Sequence, residues 1–345
     1  MSVPRPQGYS DGLAIQWPRP NAPSRLDEET AMHIPDGFVD ARTAVATGLI
    51  AGAGVGVALR EVRRSLPPSR MPLLGVSAAF LFAAQMLNFP VAAGTSGHLV
   101  GGVLAVALLG PAAAVIVMTT VVVVQCLLFG DGGVTALGAN VLNMAVVAPL
   151  VGYLPYRMLG RLLPGERGRA ISIGVAAWLS IVVASILCAG ELAFSGTASW
   201  SAVFPAMAGT HMLIGVGEAV ITALVLSSIA HARPELLAGP DRATSPAPSG
   251  TAGFAAVIAV ALAVFVAPFA SPWPDGLEHV ADRLGFGTAA AGPFLQSPLT
   301  DYALPGVTSP AFATIAAGLV GAVIVFLLSF VLGRALVPKT RGRTR

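Results

Sequence analysis

Three of the five histidines in this chain stand at the edges of long apolar runs, and histidine is the side chain best suited to bind a transition metal or move a proton near neutral pH. His33 lies in MHIPDGF (Met32–Phe38), His98 closes NFPVAAGTSGH (Asn88–His98), and His211 lies in GTHMLIGVGEAVIT (Gly209–Thr222). Singly, each reads as well as a packing histidine as a ligand. Gathered at one level of a membrane, where ionisable side chains are costly, they point to a site for a metal ion or a proton. His231, by contrast, opens a polar linker and reads as a solvated loop residue.

His33 has a further possibility. If translation starts at Met32, the α-amine, the His33 backbone nitrogen and the His33 imidazole could chelate one cation, and His98 could complete a flat four-nitrogen ring. Imidazole and deprotonated amide suit Ni²⁺, Cu²⁺ and Co²⁺, and argue against Mg²⁺ or Ca²⁺. His211 and Glu218 are seven residues apart, two helical turns, and share a face. Glu218 is therefore either a supporting group on an ion path or an interhelical hydrogen-bonding group. Gln85, Asn88, Asn140 and Asn143 read first as glue between helices. Asp275, Glu278, His279 and Asp282 could hold a cation weakly, but their spacing is also that of a solvated surface helix. The glycines of GTSGH and GDGG suit tight turns folding against the site. Cys126 and Cys188 belong to no CxxC pair and lie in apolar runs, so they read as packing residues.

Positioning these residues falls to lipid-crossing helices. Of 345 residues, 55% are hydrophobic and 11% charged, and the mean hydropathy is +0.77, which a soluble domain does not reach. A bilayer needs about 20 apolar residues per crossing. Candidate spans run over 43–59, 72–87, 98–109, 112–128, 139–154, 171–189 and 207–229, then 252–269 and 311–332. The expected fold is an all-α polytopic membrane bundle of seven spans plus a two-span second unit. Residues 1–31 read as a disordered extension or a mis-assigned start, 32–230 as the seven-span domain and 231–250 as a cytoplasmic linker. Residues 251–335 then form the second unit, with an outer loop over 271–310, and 336–345 a basic tail.

Arginine sorting supports that count. With Arg60–Arg70 inside, the clusters at Arg157–Arg169, Arg233/Arg242 and the tail also fall inside, and from Arg60 onward only Arg283 falls outside. The expected location is the plasma membrane, with Met32 outside and the C-terminus cytoplasmic. The pI near 9.2 does not indicate nucleic acid, because the arginines lie in short loops beside apolar runs and Lys339 is the single lysine. There is no GxxxxGK[ST] run, nucleophile elbow or zinc-protease motif, so no enzyme constellation is present and energy for transport must come from elsewhere.

The three histidine motifs together resemble the substrate-capturing membrane component of cobalt/nickel energy-coupling-factor importers, the CbiM/NikM family. WPDGLEHVADRLGF resembles the small two-span accessory component, here fused, and the resemblance covers about residues 32–335. It implies ATP-driven uptake of Ni²⁺ or Co²⁺ as substrate, without an organic cofactor. It also implies two partners, a transmembrane coupling (T) component and a pair of cytoplasmic ATPases. The implied ligands are the Met32 amine, the His33 backbone and imidazole nitrogens, and the His98 imidazole. Asn88, His211 and Glu218 are supporting candidates. MHIPDGF is nearer the nickel-associated form, while cobalt supply for cobalamin synthesis is the other expectation. Since 31 residues precede Met32, the amine can ligate only if translation begins there or the extension is removed. Two other readings remain open: an ion-gradient transporter with a His211/Glu218 relay, and a non-transporting assembly protein.

Overall fold

The computed structural model describes residues 33–92, 94–237, 251–266, 270–271 and 273–336. The expected extension, Met32, most of the linker and the basic tail lie outside the described residues. The described chain is a helical bundle with one small hairpin. Helix α1 spans Ala41–Ser65, α2 Met71–Gln85, α3 Gly102–Leu109, α4 Pro111–Phe129, α5 Leu137–Leu162, α6 Gly165–Phe194 and α7 Trp200–Ala232. The second unit holds α8 (Thr251–Ala261, continued by a wider turn over Leu262–Val266), α9 (Gly276–Leu284) and α10 (Pro310–Leu336).

Local chemistry sets the ends. Asp40 caps α1 by accepting from the Thr43 N–H at 2.9 Å, and Arg63 and Arg64 sit in its last turn, where they complement the helix dipole. Two prolines, Pro67 and Pro68, follow, and neither can continue the helix. Asp275 and Glu278 form a reciprocal capping box on α9, and Gly285, at φ 76°, closes it. Both α4 and α5 pass through π-helical turns, at Gln125–Phe129 and Val141–Val147, and the second of these lines the cavity described below through Asn143 and Met144.

Among the described residues six helices (α1, α4, α5, α6, α7 and α10) are long and apolar enough to cross a bilayer. The second and third expected spans are shorter. With 15 and eight residues, α2 and α3 reach only about 22 and 12 Å at 1.5 Å per residue, against a hydrocarbon core of about 30 Å. Between them the helix ends at Gln85 and the chain pairs as an antiparallel hairpin, β1 (Asn88–Pro90) with β2 (Ser96–His98), which puts Asn88 opposite His98. This strand pair is the departure from an all-α chain.

α2 lies almost wholly inside the protein, packed against α4, α8 and α10. Small residues allow the approach, since a Cβ on Gly321 of α10 would lie 2.2 Å from the Phe82 ring. α1, by contrast, turns Val45, Leu49 and Val57 outward, as a lipid-facing helix does.

Candidate metal site

The loop carrying His33 is pinned from both units. Asp36 Oδ1 accepts from the Thr135 N–H (2.7 Å) and hydroxyl (2.6 Å), and its Oδ2 accepts from the Phe294 N–H (2.9 Å). Burial pushes the Asp36 carboxyl up, but these donors outweigh it and hold it below the usual carboxylate range. The Ile34 N–H donates to Asn140 Oδ1 and the Asn140 amide donates back to the Ile34 carbonyl, each at 3.0 Å. Phe38 packs edge-on to Phe286 of the second unit with ring centres 5.4 Å apart. The GDGG turn makes the fit possible, since a Cβ on Gly133 would lie 2.2 Å from the Asp36 nitrogen.

His33 is buried, with Nδ1 2.6 Å from Asp131 Oδ1, and Tyr302 of the second unit donates its hydroxyl to Asp131 Oδ2 at 2.5 Å. Burial would raise the Asp131 carboxyl, but His33 and the Tyr302 hydroxyl hold it low. With the hydrogen on Nδ1, His33 would donate to this carboxylate, which when ionised only accepts.

His98 enters on β2. The Ser96 N–H and hydroxyl donate to the Pro274 and Trp273 carbonyls (2.8 and 2.7 Å), and the Ser271 N–H donates to the Asn88 carbonyl (2.8 Å). Below the hairpin, Glu218 accepts from the Val100 and Gly101 N–H groups at 2.9 and 2.8 Å, which satisfies backbone left without helix partners.

The His33 and His98 ring centres are 5.7 Å apart and tilted by 40°. An ion about 2.0–2.1 Å from each ring nitrogen would put the centres about 4.5 Å apart at a right angle and about 6.4 Å apart if the rings were opposed. The observed spacing lies between those limits. Nε2 of His33 and Nδ1 of His98 are buried without a hydrogen-bond partner, as is Asn88 Oδ1. A chelate through the His33 backbone nitrogen would close on Nδ1, the atom here given to Asp131.

His33, His98, His211, Asn143 and Asp275 line one cavity of about 90 Å³, room for an ion with a few waters. His211 lines it with Nδ1 2.9 Å from the Met207 carbonyl. Asp275 sits at its wall within the capping box, and burial pushes both the Asp275 and the Glu278 carboxyls up. Among the described residues no group of three or more His, Cys, Asp or Glu side chains is arranged to hold a metal. The described part of the site thus offers two imidazoles. Met32 lies outside the described residues.

Reading the sequence for its glycines passes over Asp131 in GDGG, and nothing local marks Tyr302, 171 residues further on.

Residues 33–236 match the family model described as the cobalt uptake substrate-specific transmembrane region (CbiM), and residues 249–337 match the PDGLE domain. A putative fused nickel transport protein NikMN from Archaeoglobus fulgidus is 40% identical over 305 residues, covering 88% of this chain and 98% of that protein. A putative cobalt transport protein CbiM from Methanococcus voltae is 31% identical over 59% of this chain and 94% of its own length. A crystal structure of a truncated transition metal transporter superposes with a TM-score of 0.53 at 33% identity, over 58% of this chain and 99% of that one.

Proposed function

The chain belongs to the CbiM family of cobalt uptake substrate-specific transmembrane proteins, with a PDGLE domain fused behind it, and from that premise we propose that it captures Ni²⁺ or Co²⁺ at the outer face of the plasma membrane for ATP-driven uptake. The ion is held by the Met32 α-amine, the His33 backbone and imidazole nitrogens and the His98 imidazole, which requires that Met32 be the mature N-terminus. The observation that carries this reading is the pair of buried, unpartnered ring nitrogens, Nε2 of His33 and Nδ1 of His98, on two residues that line one small cavity. Nickel is favoured, because fused relatives bear nickel names and MHIPDGF is of the nickel-associated form.

Seven crossings in residues 32–230 and two in 251–335 place the N-terminal motif outside and the tail inside, where arginines meet a T component and an ATPase pair. In this topology α2, the hairpin and α3 together make the second and third crossings. A His211/Glu218 proton relay draws less support, because both Glu218 oxygens are occupied by backbone N–H groups.

The test is calorimetric titration of Ni²⁺ and Co²⁺ into purified protein, native and His98→Ala, with intact-mass measurement of the mature chain. Loss of binding in the variant is expected. Unchanged affinity, or full transport by a product that retains residue 1, would overturn the ligand set.

A further inference from the structure

Where α5 turns into α6, at the end of these helices remote from the histidines, Arg157, Arg161 and Arg169 line one cavity of about 480 Å³. The turn is tight, since a Cβ on Gly168 would lie 2.1 Å from the Leu163 carbonyl oxygen. Arg157 donates to the Tyr153 hydroxyl and lies over that ring, 5.7 Å from its centre. Glu166 also lines the cavity, but its carboxylate is 3.2 Å from Nε2 of His231 on α7. Among the described residues none of the three guanidiniums forms a salt bridge with a carboxylate.

The surroundings say what fills such a cavity. Both helices are long and apolar enough to cross a bilayer, so their joint lies at a membrane surface. Three guanidiniums call for an anion, and the planar N–H fork of arginine matches phosphate oxygens. Tyr153 and Tyr156 stand at the same level of α5, the depth at which tyrosine rings sit among headgroups. Leu154 and Met158 precede Arg157 and Arg161 by three residues and so neighbour them on the helix surface. They are 62% and 60% exposed, and Leu150, at 43%, continues the row toward the bilayer centre. A free anion would leave that apolar row bare, whereas acyl chains cover it. We propose that this cavity binds the headgroup of an anionic phospholipid. Its phosphate lies on Arg157, Arg161 and Arg169, and its chains run along Met158, Leu154 and Leu150. Basic pockets at the ends of membrane helices take lipid phosphates in this way. The site is separate from the ion cavity and gives no ligand to it.

The test titrates phosphatidylglycerol into the full chain in detergent and counts bound lipid by native mass spectrometry, with phosphatidylcholine of the same acyl chains beside it. Phosphatidylglycerol is expected to bind more tightly than phosphatidylcholine. Arg157→Gln/Arg161→Gln/Arg169→Gln should weaken it by about 100-fold, since each arginine near a lipid surface contributes about five-fold. Arg60→Gln/Arg63→Gln/Arg64→Gln removes as much charge from the end of α1 and should bind as native. A second measurement needs no variant: phosphatidylglycerol with a diazirine in one acyl chain should label native protein around Leu150–Met158. Equal binding of the two lipids would overturn the proposal, as would native binding in the first triple variant or label confined to other helices. An equal loss in both triple variants would mean a diffuse field rather than a site. Displacement of the lipid by millimolar inorganic phosphate would give the cavity to a free anion, which also defeats the assignment.

Discussion

Glu218 and His98 share the buried ground beneath the hairpin and do opposite work. His98 keeps a ring nitrogen without a partner, whereas Glu218 gives both oxygens to the backbone of Val100 and Gly101. Glu218→Ala leaves two buried N–H groups unpaired at about 1–3 kcal/mol each. We expect it to lower the unfolding midpoint in detergent well below native, with Glu218→Gln, which retains an acceptor, in between. A thermal or denaturant scan of the three proteins checks this, and an unchanged midpoint in the alanine variant would contradict it. The meeting of His33 and His98, with ring centres 5.7 Å apart, was legible from their motifs because histidines are conspicuous in apolar sequence. The division of labour between His211 and Glu218 was not, because helical spacing reports a shared face and says nothing of what a carboxylate meets.

At the scale of elements, the N-terminal loop is held by a carboxylate, and this makes its docking pH-dependent. Asp36 is depressed relative to its ordinary range near 3.9. Its contribution is therefore fully present above that range and is lost as pH falls through the lower folded value. Hydrogen exchange over residues 33–38 should stay slow from neutral pH down to the ordinary carboxylate range and accelerate below it. Asp36→Asn should be fast throughout, and equal protection in the two proteins would remove Asp36 from the docking. Gly133→Ala attacks the same loop sterically, since the new Cβ meets the Asp36 nitrogen at 2.2 Å. Loss of both loop protection and Ni²⁺ binding is expected, and native binding would show that the turn yields. GDGG and GTSGH announced turns through their glycines. The pairing of Asn88 with His98 was less visible, because five residues of turn separate two very short strands.

Across the whole molecule, the second unit is built into the first. α10 lies along α2, Ser271, Trp273 and Pro274 bind the hairpin, and Tyr302 and Phe294 reach the His33 loop. Gly321→Leu should disrupt the α2–α10 contact, where a Cβ would lie 2.2 Å from the Phe82 ring. Overpacking of this kind costs about 1–3 kcal/mol or more. A lower unfolding midpoint with weaker Ni²⁺ binding is expected, and a native midpoint would mean the helices separate freely. Hydropathy located the long helices closely. It could not reveal that the second unit closes over the first, because those contacts join residues more than a hundred positions apart.

Imidazole nitrogens gripping one divalent ion are what the capture reading depends on, and X-ray absorption at the nickel edge reads them directly. Native protein loaded with Ni²⁺ should give a nitrogen-dominated shell with the outer scattering of two imidazoles, reduced to one or lost in His98→Ala. An oxygen shell, or a spectrum that His98→Ala leaves unaltered, would contradict the account.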